Sequence, residues 1–293
     1  MVSPALLKQI RQIEIKTRRA VTSQFNGVYR SAFKGSGLSF QGLRPYEAGD
    51  DIRRIDWQTS ARLNNPYIKE YVEERQLNVM LAFDISASTA FGSTQLKKRE
   101  IAAELGSIIA YTCQMNHDRV GAIFFTDKIE AYIPPKQGRK HIQELIYTIL
   151  SIEATSQGTD FTSFIQHLHY GLKQGASLFL FSDFFIDFEK NQLALSVLSR
   201  RHEISAIILE DPVESQFPDI GIVQLKDAEN QDQRWYDTGS EKWRDSLQTQ
   251  YQILAAERAS FLRACRIPSI NVASENNHYI ALLVDLFQRR MQI

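Results

Sequence analysis

Oxygen-bearing side chains cluster at three points along the chain, each beside an apolar segment. Residues 84–88 read Asp-Ile-Ser-Ala-Ser directly after the apolar run 78–83. Residues 158–160 read Gly-Thr-Asp before a predicted helix, and residues 181–183 read Phe-Ser-Asp at the end of another apolar run. Carboxylates and hydroxyls without histidine or cysteine favour Mg²⁺, Mn²⁺ or Ca²⁺ over zinc. Because Mg²⁺ keeps water where a protein offers few carboxylates, such a site would leave a coordination position open.

The candidate metal ligands come from these three segments. They are Asp84, Ser86, Ser88, Thr159 and Asp183. Each has a structural alternative, because aspartate, serine and threonine also cap helices and form turns. A cap or turn would explain Asp84 and the two serines, an N-cap would explain Thr159, and an ordinary turn would explain Asp183.

From residue 78 onward, short apolar runs alternate with amphipathic stretches. Strands are predicted at 78–83, 120–125, 178–181, 204–209 and 269–272, with 131–133 as the hairpin partner of 120–125. Helices are predicted at 97–115, 140–150, 164–172, 192–200, 241–265 and 278–289. This alternation indicates an α/β fold with a doubly wound, mostly parallel sheet and helices on both faces. Ligands of such sheets bind outside the carboxyl ends of the strands, where the oxygen-bearing segments are expected to meet.

The first 77 residues differ from the rest, which predicts two domains, 1–77 and 78–293. Residues 4–24 have the apolar spacing of a basic amphipathic helix, and residues 25–77 indicate a smaller, partly β module with a strand at 67–72. Residues 1–44 hold eight Lys/Arg and one acid, although the whole chain has a net charge of zero. The basic helix either packs on its own protein or contacts a membrane surface, RNA or an acidic partner. The overall charge indicates no general attraction to nucleic acid.

The two cysteines, Cys113 and Cys265, make neither a disulfide framework nor a metal site. Buried, reduced thiols fit a cytosolic protein. No signal peptide is evident, and no apolar run reaches the roughly 18–20 residues that a spanning helix needs. The predicted location is therefore cytoplasmic, with a peripheral position at the inner membrane as the alternative. The histidines show no paired metal spacing and are expected on helix surfaces or ends.

The five candidate ligands match, in order and spacing, the metal-ion-dependent adhesion site of von Willebrand factor A domains, which this part of the sequence resembles. The resemblance implies that the first four surround a divalent ion and that Asp183 acts through water. It also implies that a glutamate or aspartate of a partner protein completes the shell. Two positions depart from the family pattern. Phe184 stands where glycine is frequent, and Thr89 stands where a bulkier apolar residue is frequent.

Residues 35–62 carry a more specific resemblance, and they read GSGLSFQGLRPYEAGDDIRRIDWQTSAR. This run is similar to a bacterial family of unknown function, number fifty-eight in the domain-of-unknown-function series, and the similarity covers roughly residues 25–210. Members are often encoded beside MoxR-type AAA+ ATPases, which implies an adaptor or chaperone-like role beside such an ATPase. The alternating charges of the run suit a structural ion-pair network or, alternatively, a docking surface.

Three functions compete on this sequence. The favoured one is a Mg²⁺-dependent protein-interaction module without catalysis, working with a MoxR-type ATPase. A metal-dependent phosphohydrolase with Asp84 as nucleophile is the second, although such enzymes usually place another aspartate two residues later, where Ser86 stands here. A membrane-surface scaffold acting through the basic N-terminal helix is the third.

Overall fold

The computed structural model describes residues 26–32, 38–73, 76–93, 96–156, 158–172, 175–226, 233–273 and 279–290. The predicted basic helix at 4–24 lies outside these residues. The chain divides into two units. One contains the helix Asn26–Ala32 together with the chain from Asn78 onward, and the other lies within Phe33–Leu77.

A six-stranded sheet forms the centre of the larger unit. Its strands are β3 (Asn78–Asp84), β4 (Arg119–Phe125), β5 (Ile129–Lys136), β6 (Ser177–Ser182), β7 (Glu203–Glu210) and β10 (Ser269–Ala273). Their order across the sheet is β10-β7-β6-β3-β4-β5. Every neighbouring pair is parallel except β4 and β5, which form an antiparallel hairpin at one edge. The sheet is therefore doubly wound and mostly parallel, as expected for a von Willebrand factor A-like domain.

Helices cover both faces of this sheet. They are α1 (Asn26–Ala32), α3 (Lys98–Met115), α4 (Arg139–Ser151), α5 (Phe161–Gly171), α6 (Phe188–Arg201), α7 (Pro212–Ser215), α8 (Glu241–Ala264) and α9 (Tyr279–Arg290). Helices α5, α6 and α8 pack on the face that carries Met80 and Ala82. The opposite face carries Phe83 and Phe179, which contact Gly106 of α3 and Phe287 of α9.

The continuous apolar runs explain the central strands, because a strand buried on both faces has no solvent-facing positions. The residues of β3 after Asn78 and all residues of β6 are buried. Aromatic rings fill the space on both faces. Phe83 stacks on Phe181 with ring centroids 4.6 Å apart, and Phe125 stacks on Phe164 at 3.8 Å.

The smaller unit is built on an antiparallel strand pair, β1 (Leu38–Pro45) and β2 (Tyr67–Glu73), joined through the short helix α2 (Trp57–Leu63). Asp56 caps α2 by accepting hydrogen bonds from the backbone N–H groups of its first turn. Arg44 and Asp50 form a bidentate ion pair with N–O distances of 2.6 and 2.7 Å. Part of the charge pattern in this segment therefore serves ion pairing, and part serves helix capping.

Helix α1 belongs to the larger unit, although the sequence predicts it within the domain 1–77. Tyr29 of α1 is buried, its hydroxyl donates to Asp118 at 2.8 Å, and its ring meets Phe287 edge-on. Arg30 donates to Asn116 at 2.7 Å. The chain thus contributes a helix to the α/β unit before it forms the smaller unit, a long-range packing that local periodicity does not reveal.

After β7, the chain forms a separate antiparallel hairpin, β8 (Ile222–Lys226) and β9 (Gln233–Asp237). Among the described residues, no helix is long and apolar enough to cross a membrane. Both cysteines are free and buried, as predicted.

Candidate functional site

The loop after β3 places Asp84 and the two serines around one point. The carboxylate of Asp84 accepts a hydrogen bond from the backbone N–H of Ser86 at 3.0 Å. The hydroxyls of Ser86 and Ser88 lie 3.1 Å apart and share a hydrogen bond. Thr89 closes the turn, because its hydroxyl donates to the carbonyl of Ser86 at 2.8 Å. Three of the five candidate ligands therefore belong to one short, internally hydrogen-bonded loop.

The strand order brings Asp183 to the same place. β3 and β6 are parallel neighbours, and Phe83 pairs with Phe181, so both strands end at the same edge. After β3 the chain continues to β4 on one side of this strand pair, and after β6 it continues to β7 on the other side. Ligands bind where the strand order reverses in this way in open α/β sheets. Ser182, the last residue of β6, donates from its hydroxyl to Asp84 at 2.8 Å. The segments that carry Asp84 and Asp183 therefore lie side by side at this edge of the sheet.

Phe184, one of the two departures from the family pattern, has a left-handed backbone conformation. Its φ is 57°, a region that glycine adopts without steric cost and other residues adopt at about 1–2 kcal/mol. The ring is fully buried and lies 5.8 Å from the ring of Phe161. Burial of this ring offsets the cost of the left-handed backbone conformation at Phe184.

Thr159 lies at the neighbouring strand end. The N–H of the next residue, Asp160, donates to the carbonyl of Thr126 just beyond β4 at 3.2 Å. Asp160 is the N-cap of α5, so capping does not account for Thr159. Thr159 is half-buried and lines a cavity of about 340 Å³ together with Phe185, two residues past Asp183. The segment that carries Thr159 therefore lies beside the end of β4, which is the neighbour of β3 in the sheet.

The two aspartates interact electrostatically. Asp84 is 5% exposed and Asp183 is 2% exposed. Burial, and after it the negative charge of Asp183, raises the pKa of Asp84 to about 6, although hydrogen bonds from Ser86 and Ser182 oppose the shift. The two buried carboxylates concentrate negative charge, which makes the ionised state of Asp84 unfavourable when no cation is bound.

Two buried cations, neither of them predicted from the sequence, contact Asp183. The ammonium of Lys98 lies 3.5 Å from the carboxylate of Asp183 and also pairs with Glu214. The guanidinium of Arg258 donates to the backbone carbonyl of Asp183 at 2.9 Å and pairs with Glu210. Three consecutive basic residues stand at the start of α3, where the helix dipole makes positive charge unfavourable. This unusual placement could have indicated that one of them, Lys98, has acidic partners elsewhere in the chain. No local signal marks Arg258, which lies in the middle of α8.

The donor set fits a hard divalent cation. Among the described residues, no group of three or more His, Cys, Asp or Glu could hold a metal ion, so a site here must use hydroxyls as well as carboxylates. Asp84, Ser86, Ser88 and Asp183 supply two carboxylates and two hydroxyls, and the paired charge of the aspartates is what a divalent ion would neutralise. All four are oxygen donors, which excludes the thiolate chemistry of zinc sites at this position.

Several mycobacterial proteins are similar to this chain in sequence. Uncharacterized proteins of Mycobacterium tuberculosis and Mycobacterium bovis are 26% identical over 276 residues, which cover 94% of this chain and 86% of theirs. An uncharacterized Mycobacterium avium protein is 28% identical over 162 residues, covering 54% of this chain and 93% of its own length.

Among solved structures, BatB of Bacteroides thetaiotaomicron covers 74% of this chain and 100% of its own, with 15% identity and a TM-score of 0.44. An aerotolerance-related membrane protein of Bacteroides fragilis covers 74% of this chain and 98% of its own, with 17% identity and a TM-score of 0.46. The SpRpn10 VWA domain covers 73% of this chain and 95% of its own, with 11% identity and a TM-score of 0.43.

The sequence also matches a family model over residues 42–257, which span both the smaller unit and the candidate site. The matched range covers most of the chain, includes residues 42–62 of the run 35–62, and confirms the resemblance stated for that run. The chain therefore belongs to the family described as "Protein of unknown function DUF58".

Proposed function

We propose that this protein is a Mg²⁺-dependent protein-interaction module that acts as an adaptor or chaperone-like partner of a MoxR-type AAA+ ATPase. Mn²⁺ or Ca²⁺ would satisfy the same oxygen donors. Asp84, Ser86, Ser88 and Thr159 are the proposed direct ligands, with Asp183 acting through water. The bound ion would supply a Lewis-acidic position for a carboxylate oxygen of the partner.

The observation that carries this proposal is the meeting of Asp84 and Asp183 at one edge of the sheet. Neither carboxylate is exposed, and the charge of Asp183 contributes to the raised pKa of Asp84. A site of this kind favours a cation and disfavours a bare negative charge. Both oxygens of Asp84 already accept hydrogen bonds from Ser86 and Ser182, so its carboxylate is held in place before an ion arrives.

The partner assignment rests on the family membership rather than on the site. A MoxR-type ATPase would supply energy, and this chain would recognise a protein that presents a glutamate or aspartate. No nucleic acid is proposed as a partner, because the chain has no net charge. The cytoplasm, including its membrane-facing side, is the proposed location.

Mn²⁺ binding followed by electron paramagnetic resonance tests the metal site directly. We expect the wild-type protein to bind about one Mn²⁺, and Asp84→Asn to weaken binding more than about tenfold because it removes a charged ligand. Asp127→Asn is the matched control, since Asp127 is an exposed aspartate just beyond β4 and is not a proposed ligand. Equal Mn²⁺ affinity in the wild type and Asp84→Asn would contradict the proposal.

Pull-down of the purified MoxR-type ATPase from the same bacterium tests the partner. Binding should require Mg²⁺, disappear with EDTA and with Asp84→Asn, and persist with Asp127→Asn. Binding that is unchanged by EDTA would exclude a metal-dependent contact with this ATPase.

A phosphatase assay on the same protein preparations tests the alternative function. Mg²⁺-dependent hydrolysis of p-nitrophenyl phosphate that is lost in Asp84→Asn would assign the phosphohydrolase function instead.

A further inference from the structure

Lys98 is a fully buried lysine at the first position of α3. Its ammonium lies 3.5 Å from the carboxylate of Asp183, pairs more closely with Glu214, and sits 5.8 Å from the ring centroid of Phe185. A buried ammonium is unfavourable unless carboxylates surround it, and the helix dipole adds to the penalty at a helix start. Asp183 and Glu214 together therefore hold this charge inside the protein.

Glu214 is also anchored by residues that are not candidate metal ligands. It lies in the four-residue helix α7, where its second carboxylate oxygen accepts from the backbone N–H of Asp211 at 3.1 Å. Asp211 in turn accepts from the backbone N–H of Ser93 at 2.8 Å. These contacts hold the carboxylate of Glu214 in place without any contribution from Asp183. Glu214 and Asp183 therefore attract the ammonium of Lys98 from two separate fixed positions.

We propose that Lys98 is a built-in competitor of the divalent cation at Asp183, and that Glu214 sets how strongly it competes. This inference rests on the proposed metal-dependent function. The ammonium and the ion would neutralise the same carboxylate, so each weakens the binding of the other. By drawing Lys98 toward α7, Glu214 leaves more of the charge of Asp183 for the ion.

The arrangement also determines what the ion would bind next. Lys98 offsets part of the negative charge that Asp84 and Asp183 bring to the site. The net charge of the site with an ion bound is therefore more positive than it would be without Lys98. A carboxylate from a partner would then be attracted more strongly than water or a neutral oxygen. Lys98 thus tunes the site toward weak cation binding in the free protein and toward an acidic ligand.

Two substitutions should move the Mn²⁺ affinity in opposite directions. Lys98→Met removes the competing charge at similar length, and we expect about tenfold tighter binding of Mn²⁺. Glu214→Gln removes one of the two carboxylates that pair with Lys98, so that its ammonium interacts more strongly with Asp183. We therefore expect this variant to bind Mn²⁺ about tenfold more weakly. Lys97→Met is the matched control, since Lys97 is exposed one residue away and its replacement should leave the affinity unchanged.

The binding measurements separate this inference from the proposed function. If the wild type binds Mn²⁺ but Lys98→Met does not bind it more tightly, competition by Lys98 is wrong and the metal site stands. If neither the wild type nor Lys98→Met binds Mn²⁺, both ideas fail. If Lys98→Met does not fold by circular dichroism, Glu214→Gln still decides, because unchanged or tighter binding there would overturn the inference.

Discussion

At the residue scale, buried polar groups at this sheet edge are held in place by specific partners. Asp84 receives hydrogen bonds from Ser86 and Ser182, and Asp183 is contacted by Lys98 and Arg258. Buried polar groups normally have such partners because an unmade hydrogen bond in the protein interior is expensive. His202 departs from this rule. It was predicted at a helix surface or end, and it does follow α6, but it is buried at 3% exposure.

The two ring nitrogens of His202 lack hydrogen-bond partners within the part of the chain that the structure describes. Burial first, then the positive charge of Arg201 and the nearby His169, lower the pKa of His202 below 6.5. As the pH falls below that value, the unfolded chain takes up the proton before the native protein does. Protonation of His202 therefore favours unfolding, and the corresponding stability is present above pH 6.5 and lost below it.

Replacing His202 by leucine should remove this part of the pH dependence. We expect the Tm of His202→Leu to fall less than that of the wild type between about pH 7.5 and about pH 5.5, because leucine takes up no proton. Thermal unfolding followed by circular dichroism at each pH gives the comparison. His167→Leu is the control, since His167 is exposed on α5 and its loss should leave the slope unchanged. Identical slopes for His202→Leu and the wild type would refute the role of His202.

At the element scale, the edge hairpin β4–β5 depends on one glycine. The pairing register shifts between Val120 and Ala122, because β5 has one more residue than β4 between the paired positions, which indicates a β-bulge in β5 opposite Gly121. A Cβ atom at Gly121 would lie 2.4 Å from the carbonyl oxygen of Ile133 and 2.7 Å from the nitrogen of Pro135. Both of these are backbone atoms, which cannot move aside without changing the strand pairing.

Gly121→Ala should therefore destabilise the protein by about 1–3 kcal/mol, as overpacking in a tight interior does. Chemical denaturation at neutral pH measures the change in the free energy of unfolding. Gly42→Ala is the matched control, because a Cβ atom at Gly42 meets no atom within 4 Å. A Gly121→Ala protein with wild-type stability would show that β5 can shift without loss of packing.

At the scale of the whole molecule, burial of both cysteines depends on the complete packing of the larger unit. Cys113 of α3 is 0% exposed and lies 3.4 Å from the hydroxyl of Tyr29, which α1 supplies. Cys265 at the end of α8 is 1% exposed, and the hydroxyl of Ser196 lies 3.4 Å from its sulfur. Burial raises the pKa of both thiols, so little reactive thiolate forms near neutral pH.

The native protein should consequently resist thiol reagents. With 5,5′-dithiobis(2-nitrobenzoic acid) at neutral pH, we expect less than about 0.1 equivalents of rapid labelling in the native state. Unfolding in guanidinium chloride should expose both cysteines of the chain and allow two equivalents to react. Rapid reaction of one native thiol would show that α1 or the end of α8 opens readily. The variants Cys113→Ala and Cys265→Ala identify which site reacts.

The sequence by itself determined most elements of the larger unit and the segments that carry the candidate site. The apolar run 78–83 and the spacing of residues 97–115 predicted β3 and α3 within one residue at each end. Such periodicities are local, since burial of a strand or of one helix face leaves its pattern in neighbouring residues. The ends of parallel strands share one sheet edge, so the convergence of Asp84 and Asp183 also followed.

Only the tertiary structure decided which distant residues meet at that edge. Lys98 and Glu214 are 116 positions apart, and Arg258 and Asp183 are 75 apart. The packing of α1 on α9 was also decided only by the tertiary structure, because most of the sequence, including the smaller unit, separates these two helices. The sequence around a charged side chain contains no periodic pattern from which its partner could be predicted. Its contacts are fixed by strand order and helix packing, which depend on the burial of the whole apolar core.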